Sequence, residues 1–499
     1  MKPIVIVGGG PVGLVLSLVM ARYEVPTLLL ESRLQPTPRD ESRAITWMPR
    51  GLELLDWLGL GALFAQLGVL RTAHEFWSGR QRLLTLPFDQ VDSTHPYTLQ
   101  LPQHDTEALL ERAALATGCV EIRRGHSVVS VGQRDDAATM LVEGPEGSYE
   151  VSAPWAVGCD GARSTVRHSL GIESIHRDYG SYSVVADFEM DCDLPTDVSR
   201  LVLDHQRPYG FFYFSPRRWR LVYRLNPGED RNAMITEEAA TARLVERLPS
   251  ARVNRFLWAS AFPLRQGQSA TYRKGRWLLS GDAAHAMGPS AGAGMMVGVL
   301  GAWRLGWRLA LAAKEHPDAE GLLDRLLDDY DREQHAAADD IQDANATIFR
   351  NVAMRNPVAA GLRTQALRLL GRTSLPRKLV AREALTSQVL PASRANDRLK
   401  GETLKEIQVV GRWEVGRRAP SEALRYTGLH HMLLPVGGIR GVEQCAEASI
   451  KRAAEDAPFR VSLISASTTK VQYAFESGVS APTYALVRPD QHVVAIYQI

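Results

Sequence analysis

Short apolar runs and helical patterns alternate at the start of the chain. Residues 3–7 form an apolar run, and a glycine-rich turn and a helically spaced apolar stretch, Leu14 to Arg22, follow it. A second apolar run covers Thr27 to Leu30. Runs of four to eight apolar residues favour buried strands, and the longer periodic stretch favours a helix. The pattern therefore predicts a strand, a helix and a second strand, the repeating unit of an α/β sheet.

The pattern changes twice further along the chain. A helix is predicted at about residues 104–117, with strands near 121–122, 127–131 and 155–159. From about residue 182 to 276, polar and apolar residues alternate, as in Ser183–Phe188, which predicts β-strands. Helical patterns return at 321–346 and 357–370. We interpret the alternating segment as a β-sheet inserted between two parts of a nucleotide-binding domain.

The C-terminal fifth of the chain has a separate organisation. Residues 372–411 are basic and turn-rich, which favours a linker. Beyond them we predict a small α/β unit with a helix at 441–457, a strand at 460–464 and a hairpin of 483–487 and 492–496. The predicted domains are therefore 1–180 with 276–371, the insertion 181–275, the linker 372–411 and the unit 412–499.

Composition narrows the class of protein. The 499 residues are 45% hydrophobic and 23% charged, an ordinary globular composition. With 58 basic and 56 acidic residues interspersed, the net charge of +2 gives no electrostatic case for a nucleic-acid partner. The four cysteines form no CxxC pair, so we expect no disulfide framework, no metal site and a reducing, cytoplasmic location.

Two apolar stretches could be mistaken for membrane segments. Gly8–Gly10 interrupt the N-terminal stretch, and the run from Ala291 to Ala313 carries Arg304 and Arg308. Charged residues inside a lipid-facing helix are rare. We therefore predict no membrane span and no targeting segment.

A dinucleotide-binding motif lies in the first strand–helix–strand unit. Gly8, Gly10 and Gly13 match G-x-G-x-x-G, and Glu31 follows the second strand, eighteen residues after Gly13. In such units the glycines allow a tight turn and close approach of a pyrophosphate, and the acidic residue binds ribose hydroxyls. The glycine motif alone is weak evidence, but the surrounding pattern makes this interpretation strong.

Two other turns follow predicted strands. Asp160-Gly161 ends one strand, although Asp-Gly is also a common turn pair. Gly281-Asp282 ends another and opens a glycine-rich stretch before a helical pattern that continues through Leu309. Unpaired amides at a helix N-terminus favour an anion or an electron-rich ring edge. By itself, this stretch is equally compatible with a tight structural connection.

Together, the three motifs resemble the single-component FAD-dependent aromatic hydroxylases, the para-hydroxybenzoate hydroxylase and phenol hydroxylase family. The resemblance covers about the first 350 residues, in the family's order. It implies an α/β fold: a Rossmann-like FAD-binding domain with an inserted β-sheet substrate domain. The final segment, most clearly residues 486–493, is similar to the thioredoxin-like C-terminal domain of some members. It lacks CxxC, so Cys445 is expected to be structural or to act in assembly.

The resemblance assigns roles to individual residues around FAD. They are Gly8, Gly10, Val12 and Gly13 at the pyrophosphate, Glu31 and Ser32 at the adenosine ribose, Arg43 and Gln103 in flanking loops, Val128 at the adenine, Asp160 in the Asp-Gly motif, Asp282 at the ribitol, and Pro289, Gly294, Met295 and Met296 around the isoalloxazine ring.

The chain departs from the family pattern near the ring. It has Gly-Ala-Gly-Met-Met at 292–296, where the family usually has Gly-Gln-Gly-Met-Asn, and Gly301 and Arg304 replace common Asp and Asn residues. Because the implied contacts are largely backbone amides, we expect FAD binding to survive. The apolar Met296 beside the ring is expected to permit some peroxide leakage.

The activity implied by the resemblance is that of a monooxygenase. FAD, reduced by NADH or NADPH, would react with O2, and a flavin C4a-hydroperoxide would hydroxylate a phenolic or polycyclic aromatic molecule. Alternatives are Baeyer–Villiger oxygenation, a flavin reductase or dehydrogenase, and a non-catalytic FAD-containing binding protein. Candidate catalytic side chains are Tyr213 and His285, with Tyr209 and Tyr223 as further guesses. A homodimer is compatible with the family.

Overall fold

The computed structural model describes most of the chain. It covers residues 1–226, 228–287, 293–315, 321–352, 354, 356–377, 405–410, 413–414, 419, 431–437, 450–454, 461–463 and 483–498. Its helices are α1 Pro11–Arg22, α2 Pro49–Trp57, α3 Gly61–Leu67, α4 Gln103–Ala116, α5 Thr165–Ser169, α6 Glu237–Arg247, α7 Gly294–Glu315, α8 Leu322–Val352 and α9 Pro357–Leu370.

The first sheet confirms the predicted strand–helix–strand unit. Numbered in chain order, its strands are β1 Ile4–Val7, β2 Thr27–Glu31, β8 Val120–Arg124, β12 Ala156–Gly158, β18 Arg273–Lys274 and β19 Trp277–Leu279. Their spatial order is β18-β19-β12-β1-β2-β8, and all neighbours except β18 and β19 are parallel. Because parallel strands end at one edge, Glu31, Asp160 and Asp282 follow their strands at the same side of the sheet.

Helix α7 packs unusually closely on α1. A Cβ atom at Gly298 would lie 2.7 Å from Val12 Cγ2, and one at Gly306 would lie 2.4 Å from Val19 Cγ1. Glycine is therefore required for this approach, because a side chain at either position would force the helices apart. The contact fixes the start of α7 beside the glycine turn of β1.

The second large sheet is broader than the predicted insertion. Its strands are β5 Ala73–Ser78, β6 Gln81–Pro87, β13 Ser174–Asp191, β14 Val198–Val202, β15 Tyr209–Ser215, β16 Arg218–Arg224, β17 Arg252–Ser269 and β20 His285–Ala286. Their order is β20-β17-β13-β16-β15-β14-β5-β6. The boundaries predicted at 181 and 275 are therefore corrected: β5 and β6 join the sheet because β5 pairs in parallel with β14. Such a distant pairing leaves no local sequence signal.

The two faces of this sheet have different partners. Phe211, Trp219 and Leu221 pack with Ala240 and Leu244 of α6 in a separate apolar core. Residues that alternate with them along the strands face the first sheet. The cavity described below lies on that second side.

The described residues also form three smaller sheets. They contain β3 Thr46–Trp47, β4 Val69–Arg71 and β7 Thr98–Gln100; β9 Ser127–Arg134, β10 Ala137–Gly144 and β11 Gly147–Ala153; and β22 Val409–Val410 with β23 Trp413–Glu414. Within the described chain, no helix combines the length and apolar character needed to cross a bilayer.

The C-terminal unit contains a mixed sheet. Its strands are β21 Lys405–Ile407, β24 His431–Gly437, β25 Val461–Leu463, β26 Thr483–Val487 and β27 Val493–Gln498. Their order is β21-β27-β26-β24-β25. The linker boundary at 411 is corrected, because β21 pairs with β27. Of the predicted helix, residues 450–454 are described and helical, while Cys445 lies outside the described residues. The thioredoxin-like assignment stays a prediction.

Buried charges join this unit to the first domain. Glu333 of α8 accepts two hydrogen bonds of 3.0 Å from Arg308 and bonds of 2.5 and 3.1 Å from Arg488, in the turn between β26 and β27. Arg488 also donates to Asp490 at 2.7 Å, and Arg50 of α2 donates to the Asp490 carbonyl at 2.9 Å. We call Arg308, Glu333, Arg488 and Asp490 the junction cluster.

Candidate active site

One large cavity lies between the two main sheets. Its volume is about 2080 Å³, and its wall includes the turn after β1, the ends of β2 and β12, the start of α7 and the inner face of the second sheet. Pockets for a single drug-sized ligand usually measure about 300–1,000 Å³. The cavity therefore has room for two large ligands.

The three motif glycines have different tasks at one end of this cavity. Gly8 has a φ of +110°, and a Cβ atom there would lie 2.4 Å from the Cys159 carbonyl oxygen. At Gly13 a Cβ atom would come within 2.0 Å of the Gly8 oxygen. At Gly10, by contrast, it would meet no atom within 4 Å. Gly8 and Gly13 are needed for packing, whereas Gly10 keeps space open at the N-terminus of α1, as a bound pyrophosphate would require.

Glu31 is held in place at the end of β2. Its Oε2 accepts the Gly9 amide at 2.7 Å, and its Oε1 accepts the Arg33 amide at 2.9 Å. The carboxylate is buried but borders the cavity. Each carboxylate oxygen can accept more than one hydrogen bond, so Glu31 can also receive ribose hydroxyls.

The loop after β2 is fastened to α4. Gln103 accepts the Ala44 amide at 3.0 Å and donates to Glu107 at 2.7 Å. Its amide is thus used within the protein, and its effect on a ligand is through the loop. Arg43, which pairs with Glu41, is partly exposed and borders the cavity.

Two aspartates present unpaired carboxylate oxygens near the strand ends. Asp282 borders the cavity and makes no side-chain hydrogen bond within the described chain. Loss of solvent around the carboxylate raises the pKa of Asp282 to about 6, although the positive charge of Arg43 acts to lower it. Asp160 Oδ2 accepts the Val166 amide at 3.1 Å, while its buried Oδ1 accepts no hydrogen bond from the residues that the structure describes. Unpaired acceptors of this kind fit the hydroxyl groups of a sugar or ribitol chain.

Most predicted cofactor residues meet at this cavity. Those on its wall are Gly8, Gly10, Val12, Glu31, Ser32, Arg43, Gln103, Val128, Asp160, Asp282, Gly294 and Met295. Gly13 lies behind the turn, and Met296 is buried elsewhere. Pro289 is outside the described residues.

Comparison with known proteins agrees with this geometry. Residues 1–345 match the model of a family described as "FAD binding domain". The chain belongs to this FAD-binding family. A 12-dehydrotetracycline 5-monooxygenase/anhydrotetracycline 6-monooxygenase of Streptomyces rimosus is 35% identical over 390 residues, covering 74% of this chain and 73% of the relative. A rifampicin monooxygenase of Streptomyces venezuelae is 33% identical over 348 residues, covering 69% and 70%.

A solved structure extends the likeness over the full length of this flavoprotein. The anhydrotetracycline hydroxylase of Streptomyces rimosus has a TM-score of 0.73 and 29% identity, covering 99% of this chain and 94% of that one. The protein is an FAD-dependent monooxygenase of aromatic substrates that uses NAD(P)H and O2. FAD, when bound, supplies the redox chemistry, and the protein supplies binding, orientation and electrostatics. The N-terminus of α7, at Gly294 on the cavity wall, favours negative charge there.

The departures from the family pattern in this monooxygenase form a second, internal arrangement. A Cβ atom at Gly301 would lie 2.7 Å from Gln334 Nε2, so glycine lets α8 approach α7. Arg304 donates to Gln334 Oε1 at 2.6 Å, and Gln334 donates to the Val297 carbonyl at 3.0 Å. Gly301 and Arg304 therefore act together: one makes room for Gln334 and the other orients it.

Met296 also has a structural position. Its sulfur would lie 2.5 Å from a Cβ atom at Gly51, and its side chain is buried against α2. The Met296 side chain is therefore not on the cavity wall. The contact of the Met296 backbone amide with the flavin ring, and the peroxide leakage expected from it, stay predictions.

The two candidate catalytic side chains are also away from the cavity wall. Tyr213 lies on the α6 side of β15, where it packs on Trp219 at a centroid distance of 5.0 Å. His285 is buried with its Nε2 3.0 Å from Gln334 Nε2, and burial lowers the pKa of His285 to about 4. Strand alternation explains the first error, and pairing of β20 with β17 explains the second. Both assignments are corrected to core roles.

The other two tyrosines are near the cavity, but with different freedom. Tyr223 donates its hydroxyl to the Met234 carbonyl at 3.0 Å, and burial raises the pKa of Tyr223 to about 12. Tyr209 packs on Phe211 at 5.6 Å and borders the cavity. Burial also raises the pKa of Tyr209, so neither tyrosine has the pKa of a base at neutral pH.

Sequence reasoning missed the charged residues on the inner face of the second sheet. Arg220 donates to both oxygens of Asp187, at 2.8 and 2.9 Å, and to the Arg43 carbonyl at 2.7 Å. This clamp ties the second sheet to the loop after β2. Arg71, at the end of β4, also borders the cavity. An arginine in a strand carries no motif, so its burial could be found only from the fold.

Proposed function

We propose that this enzyme hydroxylates a polycyclic aromatic compound. The cavity volume of about 2080 Å³ carries the proposal, since it exceeds the room that two ligands of up to about 1,000 Å³ would need. One of these ligands would be FAD. Apolar side chains line the part of the wall that belongs to the second sheet and α9, among them Phe76, Leu84, Phe212, Trp258 and Leu370. The tetracycline-type monooxygenases named above add support.

Our assignment of the FAD contacts follows the same wall. Gly10 and Val12 would lie at the pyrophosphate, Glu31 at the adenosine ribose and Asp282 at the ribitol. No side chain need be covalently linked, so acid precipitation should release FAD into the supernatant. Flavin that stays in the pellet would contradict this assignment.

Product analysis tests the proposed activity. The FAD-loaded enzyme is incubated with NADPH or NADH, labelled O2 and a panel of one-ring and multi-ring phenols, and products are analysed by mass spectrometry. We expect a multi-ring phenol to accelerate NAD(P)H oxidation and to gain one labelled oxygen on a ring carbon. Recovery of the labelled oxygen only as hydrogen peroxide, without any labelled organic product, would contradict hydroxylation. Insertion of the labelled oxygen beside a carbonyl would establish Baeyer–Villiger chemistry instead. The same assay decides the electron donor.

Assembly and location are also part of the proposal. A homodimer would agree with the family, and light scattering of the FAD-loaded protein would measure it. We propose a cytoplasmic location, where NAD(P)H is available and the described cysteines, Cys119, Cys159 and Cys192, stay free. Cell fractionation with an antibody against the protein would test it.

A further inference from the structure

Arg71 is a buried cation without a counter-ion among the described residues. Its side chain is 2% exposed and borders the cavity. Its one hydrogen bond is a marginal contact of 3.4 Å to the Tyr213 carbonyl, and its guanidinium lies 5.2 Å from the centroid of Phe212. Within the described chain, no carboxylate lies within ion-pair distance of it. Four of its five N–H donors therefore have no acceptor in the described part of the chain.

The surroundings of Arg71 make this isolation more costly. Arg220 on β16 is close enough to repel the positive charge of Arg71. Both carboxylate oxygens of Asp187 accept hydrogen bonds from Arg220, so Asp187 serves as the counter-ion of Arg220. His74 on β5 is neutral, because burial and then the charge of Arg71 lower the pKa of His74 to about 3, and a neutral imidazole gives Arg71 no counter-charge. Burial and the charge of Arg220 likewise lower the pKa of Arg71 to about 9. Arg71 nevertheless stays mostly protonated at neutral pH.

Other buried arginines show what this protein normally provides. Arg50, Arg220, Arg308 and Arg488 each have a carboxylate partner. Arg363 instead donates to two backbone carbonyls. A buried charge without such partners is unfavourable, so the missing partner is expected to come from a ligand.

We infer that Arg71 binds the ionised hydroxyl of the substrate, so that the enzyme takes phenols or conjugated enols as their oxyanions; this inference rests on the proposed function. Arg71 contacts Phe212, which is paired with Arg220 across β15 and β16 on the second sheet. The pyrophosphate is expected at the open turn of Gly10, on the first sheet. A cation beside the substrate hydroxyl favours loss of its proton to solvent, and the oxyanion makes the ring more electron-rich.

A pair of dyes tests this inference on the FAD-loaded enzyme. 2-Hydroxyanthraquinone changes colour when it ionises, and anthraquinone lacks the hydroxyl. We expect the ionisation midpoint of the bound hydroxyl dye to lie about 1 to 3 pH units below that of the free dye. We also expect the hydroxyl dye to bind more tightly than anthraquinone at neutral pH. Equal affinities, or an unshifted midpoint in the wild type, would overturn the inference.

Two variants assign the effect to Arg71. Arg71→Met should abolish the midpoint shift and weaken binding of the hydroxyl dye by about 10- to 100-fold, with anthraquinone affinity unchanged within about twofold. Arg71→Lys should retain most of the shift. A shift that survives in Arg71→Met would overturn the inference. So would a loss of FAD affinity in Arg71→Met with normal dye ionisation, because it would place the cation at the flavin.

Stability gives a readout that needs no ligand. Because Arg71 is uncompensated, the ligand-free Arg71→Met protein should melt at a higher temperature than the wild type. A lower melting temperature would contradict the absence of a counter-ion. The labelled-oxygen experiment fails independently of these measurements: no labelled product from any phenol would remove the proposed function even if the dye binds as an oxyanion.

Discussion

Charge is buried in two ways in this monooxygenase, once in the junction cluster and once in the cavity. In the junction cluster, Glu333 bonds both Arg308 and Arg488, and Arg488 also bonds Asp490. Burial alone would raise the pKa of Asp490, but Arg488 and His492 hold it well below its usual range. Arg71 in the cavity has no such partner among the residues described. The junction is thus complete within the chain, whereas the cavity is completed by its ligands.

Substitutions in the junction cluster should therefore affect folding, whereas substitutions in the cavity should affect ligand binding. Removing a partner from a complete buried ion cluster leaves an unpaired charge, so stability falls whether or not a ligand is present. Removing a cavity group exposes no internal defect, so the loss appears when the ligand binds.

The largest effect is expected for Glu333→Gln. It leaves Arg308 and Arg488 buried with a neutral partner, which should lower the free energy of unfolding by about 3–5 kcal/mol. Denaturant unfolding followed by tryptophan fluorescence would measure it. Asp136→Asn is the matched control, because its pair with Arg276 is exposed, and it should change stability by less than about 0.5 kcal/mol. Equal stability of the two variants would break the comparison.

Gly10→Val should have the next largest effect, confined to FAD. The added side chain enters open space, so the apoprotein should keep its stability, while FAD binding should weaken by about 3 kcal/mol through overlap. Titration of apoprotein with FAD and thermal melting measure the two quantities. Gly13→Ala is the control for packing, since its Cβ would meet the Gly8 oxygen at 2.0 Å and should destabilise the apoprotein. A stable Gly10→Val protein with normal FAD affinity would remove Gly10 from the cofactor site.

A smaller effect is expected for Asp282→Ala. The change removes an acceptor for a ligand hydroxyl, so FAD affinity should fall by about 1–3 kcal/mol with little change in apoprotein stability. Cys192→Ser, which changes a free cysteine outside the cavity wall, should leave FAD affinity unaltered. The same FAD titration checks both, and identical affinities would argue against Asp282 as a ribitol contact.

The smallest effect is a pH dependence of FAD affinity. The folded apoprotein raises the pKa of Asp282 to about 6, and FAD hydroxyls should favour the ionised carboxylate. Affinity should therefore be constant above pH 6 and fall as pH decreases through about 6, by about 1 kcal/mol. Asp282→Asn should lose this dependence. A wild-type affinity that rises on acidification would show the opposite sign and contradict the assignment.

The strength of the local motifs explains why the FAD end of the molecule could be predicted. Gly8, Gly13 and Glu31 lie within one β1-α1-β2 unit, where strand length, helix period and turn chemistry fix their neighbours. The wall residues Asp160 and Asp282 were also found from the sequence, because each lies within three residues of the end of a parallel strand. Parallel strands bring their carboxyl ends to one edge, and the sequence pattern already contains that information.

The substrate end could not be predicted in this way. Tyr213 was chosen by residue type, but alternation along β15 places Phe212 on the cavity wall and Tyr213 on the α6 side. The strands β5 and β6 were assigned to another domain because β5 pairs with β14 across more than one hundred residues of chain, and β6 joins the sheet only through β5. No short sequence motif specifies which face of the sheet a side chain lies on or which distant strand pairs with which.

From spacing between near neighbours, the sequence indicated the nucleotide-binding unit and the inserted sheet; the FAD-dependent class of activity came from the resemblance of its three motifs to a known family. Only the tertiary structure shows that Glu333 meets Arg488 across 155 positions and that Arg71 meets no carboxylate among the residues that the structure describes. The physical reason is the same for both arginines. A charge is stabilised by the groups around it in space, and the chain order of an arginine does not specify which groups those are.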